Sequence, residues 1–252
     1  MDGSKYVDRC HIRSVGPKVP NATGQWPPGC RSILSARLCQ DCLVTRVVRP
    51  FRGVSADERR DLRRSQLLEA CLQIAGTAGL AAATVEAVSR QAGLSKRYFY
   101  ESFRARDELF VALAQSLLAE ITGGVLDSMA DSGSELIDRA RMGIGRVITV
   151  LTDDPRKARV FTELVGSEML SDTVGGAEHE LAELLTALLL AGTHSDERQY
   201  HRLRLATLVI VAGTTKAVTS WLDGKLTVSR DDLIDEIAQM SVAAARTVRS
   251  DL

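Results

Sequence analysis

One glycine does most to limit what this chain can fold into. Gly93 lies within residues 84–103, Thr-Val-Glu-Ala-Val-Ser-Arg-Gln-Ala-Gly-Leu-Ser-Lys-Arg-Tyr-Phe-Tyr-Glu-Ser-Phe. Thr84 is suited to cap a short helix whose inward positions are Val85, Val88 and Ala92. Gly93 then ends it, since only glycine enters a left-handed C-cap without steric cost. Leu94 plugs the corner and Ser95 caps a second helix. There Phe99 and Phe103, four apart, share the buried face. Lys96, Arg97, Tyr98 and Tyr100 are left pointing elsewhere. Such a pair fits a reader of the DNA major groove, in which the start of the second helix reaches base edges. Arginine and lysine there can donate to guanine acceptors, and tyrosine hydroxyls suit phosphate oxygens. The plainer alternative is a helical hairpin with a solvated, charged end.

The surrounding chain is patterned as helix after helix. Ser55 with Glu58 fits a capping box. Leu67, Leu68, Cys71, Ile74 and Ala75 then recur at three- and four-residue steps, giving a helix that ends near Gly79. Residues 107–129 form one long segment and 134–151 another. Asp154-Pro155 combines an N-cap with proline at the first helical position. A leucine-rich stripe covers 178–190, a very apolar segment covers 196–222, and Ser229 with Asp232 caps a last helix through Ile234, Ile237, Met240 and Val248. No convincing strand or repeat interrupts them, and aromatics make up only 4%. The expected fold class is all-α.

Residues 1–54 differ from this. They hold five of the six prolines and four of the five cysteines, and lack sustained periodicity. They read as an extension expected to lack stable structure; a start codon assigned too far upstream would leave the same pattern. Charge is also uneven. Residues 1–56 carry nine basic and three acidic groups, net +6; residues 57–106 are net +3 and residues 107–252 are net −9. A basic front on an acidic back suits a polyanion-binding head. Cys39-Gln-Asp-Cys42 has zinc-knuckle spacing, with Cys30 and Cys10-His11 upstream, but no second knuckle pairs with it, so no metal is expected. Cys71 lies on an apolar helical face and is read as core. No stretch of about 18 uncharged apolar residues marks a membrane span, and no secretory signal opens the chain, so a cytoplasmic location is expected.

Thr84 to Leu109, with the helix before it from Arg63, closely resembles the DNA-binding head of TetR-type repressors. The matching features are the threonine-led helix, Ala92-Gly93-Leu94-Ser95, the run Tyr98-Phe99-Tyr100, Phe103, and Arg106-Asp107-Glu108-Leu109 opening a long helix. The resemblance implies a three-helix head with a helix-turn-helix over 55–105, and a helical effector-binding and dimerisation body over 106–252. It implies a double-stranded DNA operator as partner, and a homodimer whose last two long helices form a four-helix interface. Tyr100 falls on a phosphate-contacting tyrosine, Arg106 on a basic residue at the start of the connecting helix, and Thr84 on a backbone-contacting helix start. Ser95, Lys96, Arg97 and Tyr98 fall at the start of the recognition helix. Arg97 and Tyr98 replace smaller residues, Ser102 stands where an aromatic is frequent, and Arg104 replaces a common proline. These departures bear on base preference.

The body invites two further expectations. The apolar run 205–212 is hard to bury on a monomer's surface helix and favours a partner copy, the alternative being a central core helix. Gaps near Met142, Gly143, Gly145, Phe161 and Met169 suggest a pocket for a mostly apolar small molecule that releases DNA, with Met142, Phe161 and Met169 as lining residues. No nucleophile elbow, phosphate loop or paired metal-ligand motif occurs, so no cofactor and no enzymatic activity is expected. A helical small-molecule-binding protein or enzyme without specific DNA binding is the alternative.

Overall fold

The computed structural model describes residues 55–130, 135–191 and 196–249. The proposed extension and its cysteine cluster lie outside them. Nine α-helices follow one another among the described residues: α1 Ala56–Ala78, α2 Val85–Gln91, α3 Lys96–Ser102, α4 Arg106–Ala130, α5 Leu136–Thr152, α6 Pro155–Val165, α7 Ser171–Leu190, α8 Glu197–Leu222 and α9 Arg230–Arg249. No strand occurs among these residues.

Local chemistry sets most of the boundaries. At the start of α1, Ser55 Oγ accepts from the Glu58 amide at 3.0 Å, and the Ser55 amide donates to Glu58 Oε2 at 2.6 Å. This reciprocal cap satisfies two amides that the first turn leaves free. Asp154 caps α6 through the Arg156 amide, with Pro155 at the first position. Asp196 and Gln199 form a second capping box on α8. One boundary departs from the sequence pattern. Helix α7 begins at Ser171, well before the leucine stripe, and runs through Gly175-Gly176. Glycine costs about 1 kcal/mol per helical position relative to alanine, which hides the first turns from a propensity reading. A short 3₁₀ turn, Glu168–Leu170, leads in, and its fully buried Leu170 anchors that end.

Packing joins the helices around one core. Helix α4 lies against α5 and α7, α7 against α8, and α9 against α5 and α8, while α1 rests on α6 as well as on α2, α3 and α4. The core is filled by Leu67 and Cys71 of α1, Leu109, Phe110 and Leu113 of α4, Ile148 and Leu151 of α5, and Val160 and Leu164 of α6. By length and composition α4 and α8 could each cross a membrane, which the sequence reading did not anticipate. In this fold α4 is a core helix of the bundle. Helix α8 divides its apolar residues: Leu203, Val211 and Val218 are buried, whereas Leu205 and Val209 are 64% and 62% exposed. Thr186 of α7 and Thr207 of α8 are both buried, their hydroxyls 2.8 Å apart.

The contact between α1 and α6 is unusually close. A Cβ added to Gly76 would lie 2.6 Å from the Arg156 backbone Cα, where no side-chain carbon fits. Around this point Arg156 Nη1 donates to Glu69 Oε1 and Gln73 Oε1, both at 2.7 Å, and the same guanidinium grips Asp154. Arg159 Nη1 donates to the Thr77 carbonyl at 2.6 Å, and Glu163 Oε2 accepts from the Leu80 amide at 2.7 Å. These bonds cover backbone groups where α1 ends.

Two outcomes follow. Gly76→Ala, ordinarily stabilising in a helix, should instead cost about 1–3 kcal/mol by overpacking, read as a lower melting temperature. Arg156 holds the Asp154 carboxyl below the usual carboxylate range, chiefly by side-chain hydrogen bonding. A depressed folded-state pKa means the pair stabilises above the ordinary value of 3.8 and loses that contribution as pH falls through the folded value. Melting curves should show Asp154→Asn less stable at neutral pH, with the gap to the parent narrowing on acidification.

Candidate nucleic-acid interface and internal cavity

The helix-turn-helix is built by two caps and one glycine. Thr84 is extended and its Oγ1 accepts from the Ala87 amide at 3.2 Å. Gly93 has φ +65°, and its amide and that of Leu94 fold back to the carbonyls of Arg90 and Ser89, at 3.1 and 2.9 Å. A Cβ at Gly93 would meet nothing within 4 Å, so the backbone dihedral, and not space, demands glycine here. Ser95 occupies the N-cap of α3, but its hydroxyl makes no capping bond and is free for another acceptor or donor.

The buried side of α3 is fixed by Phe99 and Phe103, whose ring centroids are 5.8 Å apart. With that face turned inward, Ser95, Lys96, Arg97, Tyr98 and Tyr100 are exposed together, and the Arg97 side chain is 86% exposed. Arg106 is also exposed, one turn into its reach along α4, with its guanidinium carbon 5.2 Å from the Phe110 ring centroid. Of the residues singled out in the sequence, Ser95, Lys96, Arg97, Tyr98 and Tyr100 thus lie exposed at and along α3, Arg106 opens α4, and Thr84 caps α2.

Neighbours not anticipated from the sequence brace this surface. Arg64 of α1 donates to the Ser102 carbonyl at 3.2 Å and lies 4.3 Å over the Phe103 ring. Arg63 lies 4.7 Å over the Tyr98 ring, with its Nη2 3.9 Å from Glu101. Arg97 Nε donates to Glu101 Oε1 at 3.0 Å, and Lys96 pairs with Glu86 of α2. The Lys96 hydrogen bond holds the Glu86 carboxyl below its usual range. Only the Arg97–Glu101 spacing of four was a readable helical signal; the α1 contacts depend on tertiary packing.

Among helices α4 to α9 lies a cavity of about 150 Å³. Its wall is largely apolar, with Ile121 and Val125 from α4, Ile144 and Val147 from α5, Phe161 from α6, Leu181 and Leu185 from α7, Val211 from α8 and Val242 from α9. Thr122, Thr207, Thr214, Thr215 and Ser241 add hydroxyls, and Glu178 is the one charged residue on the wall. Phe161 and Gly143 therefore sit where the sequence suggested a pocket. Met142 and Met169 are outside this wall, 43% and 47% exposed, and Gly145 faces Ile234 of α9. Among the described residues no cluster of three or more His, Cys, Asp or Glu is placed to hold a metal ion.

Residues 67–113 match the family described as bacterial regulatory proteins, tetR family. The HTH-type transcriptional activator FasR of Mycolicibacterium smegmatis is 22% identical over 184 residues, covering 72% of this chain and 82% of FasR. The fatty acid degradation regulator FadR from Bacillus halodurans has a similar structure, with TM-score 0.56 and 19% identity over 71% of this chain and 94% of that one. FadR from Bacillus subtilis, solved in complex with stearoyl-CoA, gives TM-score 0.56 and 16% identity, covering 71% and 98%. With a head that matches the tetR family of bacterial regulatory proteins over residues 67–113, and a helical fold shared with such regulators, the chain is a DNA-binding transcriptional regulator.

Proposed function

We propose that the chain is a repressor that holds a double-stranded DNA operator as a homodimer and releases it when an apolar effector fills the body cavity. The supporting observation is the position of α6. One face of this eleven-residue helix presents Phe161 to the cavity, and another presents Arg156 and Arg159 to α1 and Glu163 to the turn just after it. A ligand that displaces α6 therefore acts on the helix that braces α3.

In this reading residues 55–105 are the head and 106–252 the body. Thr84, Tyr100 and Arg106 anchor to phosphates, while Ser95, Lys96, Arg97 and Tyr98 face base edges. Helices α8 and α9 form the interface with the second copy. Leu205 and Val209 of α8 and Met240 of α9 supply exposed apolar contacts, and the open space at Gly213 admits a partner helix closely. A dimer must set its recognition helices about 34–36 Å apart to enter successive major grooves. An effector lowers DNA affinity only by preferring a body shape with another spacing. Cavity-lining positions on α8 run from Leu203 to Val218, about 22 Å along the helix axis. The apolar wall suits an aliphatic chain, and a cavity of about 150 Å³ must widen to take a long one; FadR of Bacillus subtilis was solved in complex with stearoyl-CoA, an acyl compound. The site of action is the cytoplasm, where operator DNA lies.

Two measurements test this reading. Tyr100→Phe should weaken binding to all duplexes alike, whereas Arg97→Ala should cost about 1–3 kcal/mol mainly on the preferred site. Equal loss for Arg97→Ala on preferred and random DNA would refute its base-reading role. A C12 to C18 acyl series should raise the melting temperature, and a saturating preferred duplex should weaken acyl binding by the factor by which the acyl compound weakens DNA binding. A compound whose affinity is indifferent to DNA binds the body without being the effector.

A further inference from the structure

The start of the recognition helix carries its own counter-charges. Lys96 pairs with Glu86 across the turn, and Arg97 pairs with Glu101 one turn along α3. Glu101 is also approached by Arg63 of α1, whose guanidinium covers the Tyr98 ring. Two cations and two carboxylates thus share the exposed surface from which bases would be read. These four charges cancel, and Arg63 at the edge leaves the surface at a net of +1, whereas Arg104 and Arg106 just beyond it are exposed.

We propose that Glu86 and Glu101 are specificity-determining residues, which neutralise the start of α3 so that Lys96 and Arg97 are given up to base edges and not to phosphate. This rests on α3 being the base-reading helix. Binding to phosphate is blind to sequence, and each phosphate neutralised adds about 0.9 to the slope of log affinity against log salt. A cation that already has a carboxylate beside it gains little from one phosphate, which must approach that carboxylate as well. A guanine edge carries no net charge and offers two acceptors in the plane of a guanidinium, so it replaces the carboxylate without repulsion. The pairs are suited to exchange because both cations are well exposed, where ion pairs are weak. Glu101 is held from its other side by Arg63, so its charge stays at this surface when Arg97 departs.

The test uses the full chain and two probes, a random-sequence pool of duplexes and a fragment that the parent protein selects from that pool. Glu101→Gln and Glu86→Gln should each tighten binding to the random pool about three- to tenfold at low salt and steepen its salt slope by up to about one. Affinity for the selected fragment should change less, so the ratio between the probes falls. Adding Arg97→Gln to Glu101→Gln should abolish the gain. A variant that merely damages the fold loses affinity for both probes, so tighter random binding cannot arise that way. Unchanged or weaker random binding in both Gln variants, with melting temperatures like the parent's, overturns the proposal. If the parent selects no fragment at all, the base-reading function fails, and this inference fails with it.

Discussion

The position of α1 against α6 governs what the rest of the molecule can do. Helix α1 belongs to two assemblies at once. Arg63 and Arg64 reach forward to Tyr98, Glu101, Ser102 and Phe103 of α3, while Glu69, Gln73 and Gly76 meet Arg156 of α6. At Gly76 the approach is set by backbone against backbone, which yields far less than contacts between flexible side chains. On the proposed mechanism, displacement of α6 carries α1 with it instead of being absorbed at the contact.

Local features of the fold were legible because their causes are local. Ser55 and Glu58 declare a capping box, Asp154-Pro155 a helix start, and Gly93 a left-handed turn, and each needs only the residues beside it. The buried pair Phe99 and Phe103 followed from a spacing of four. Helix α7 was read too short because Gly175-Gly176 weakens the helical signal, while buried Leu170 and the contacts with α4 and α8 outweigh that weakness. In the body, the sequence could place Met142, Phe161 and Met169 on or near helices but could not orient them. Neighbouring helical positions differ by about 100° in direction, so Gly143 faces the cavity while Met142 faces outward.

The exposed surface of the head was legible in outline only. Lys96, Arg97 and Tyr98 stood out as basic and aromatic residues at a helix start, yet their surroundings come from elsewhere in the chain. Glu86 arrives from α2 and Arg63 from α1, more than thirty positions before Tyr98. Without Glu86, Lys96 and Arg97 outweigh Glu101 by one charge. Glu86 cancels that excess, and Arg63 at the edge returns the surface to a net of +1.

The buried hydroxyls of Thr186 and Thr207 give α7 and α8 a polar rung inside a seam whose outer edge is held by Glu183 against Tyr200 and Arg204. Thr207 also donates within reach of the Ala182 carbonyl on α7, at 3.2 Å. Sliding one helix past the other by a turn, about 5.4 Å, would part the two hydroxyls and leave each only the carbonyls of its own helix. Apolar seams alone have no such memory of register. On the proposed mechanism, a guest parts these two walls of the cavity sideways, while the rung and the Glu183 bonds favour one lengthwise alignment of the helices.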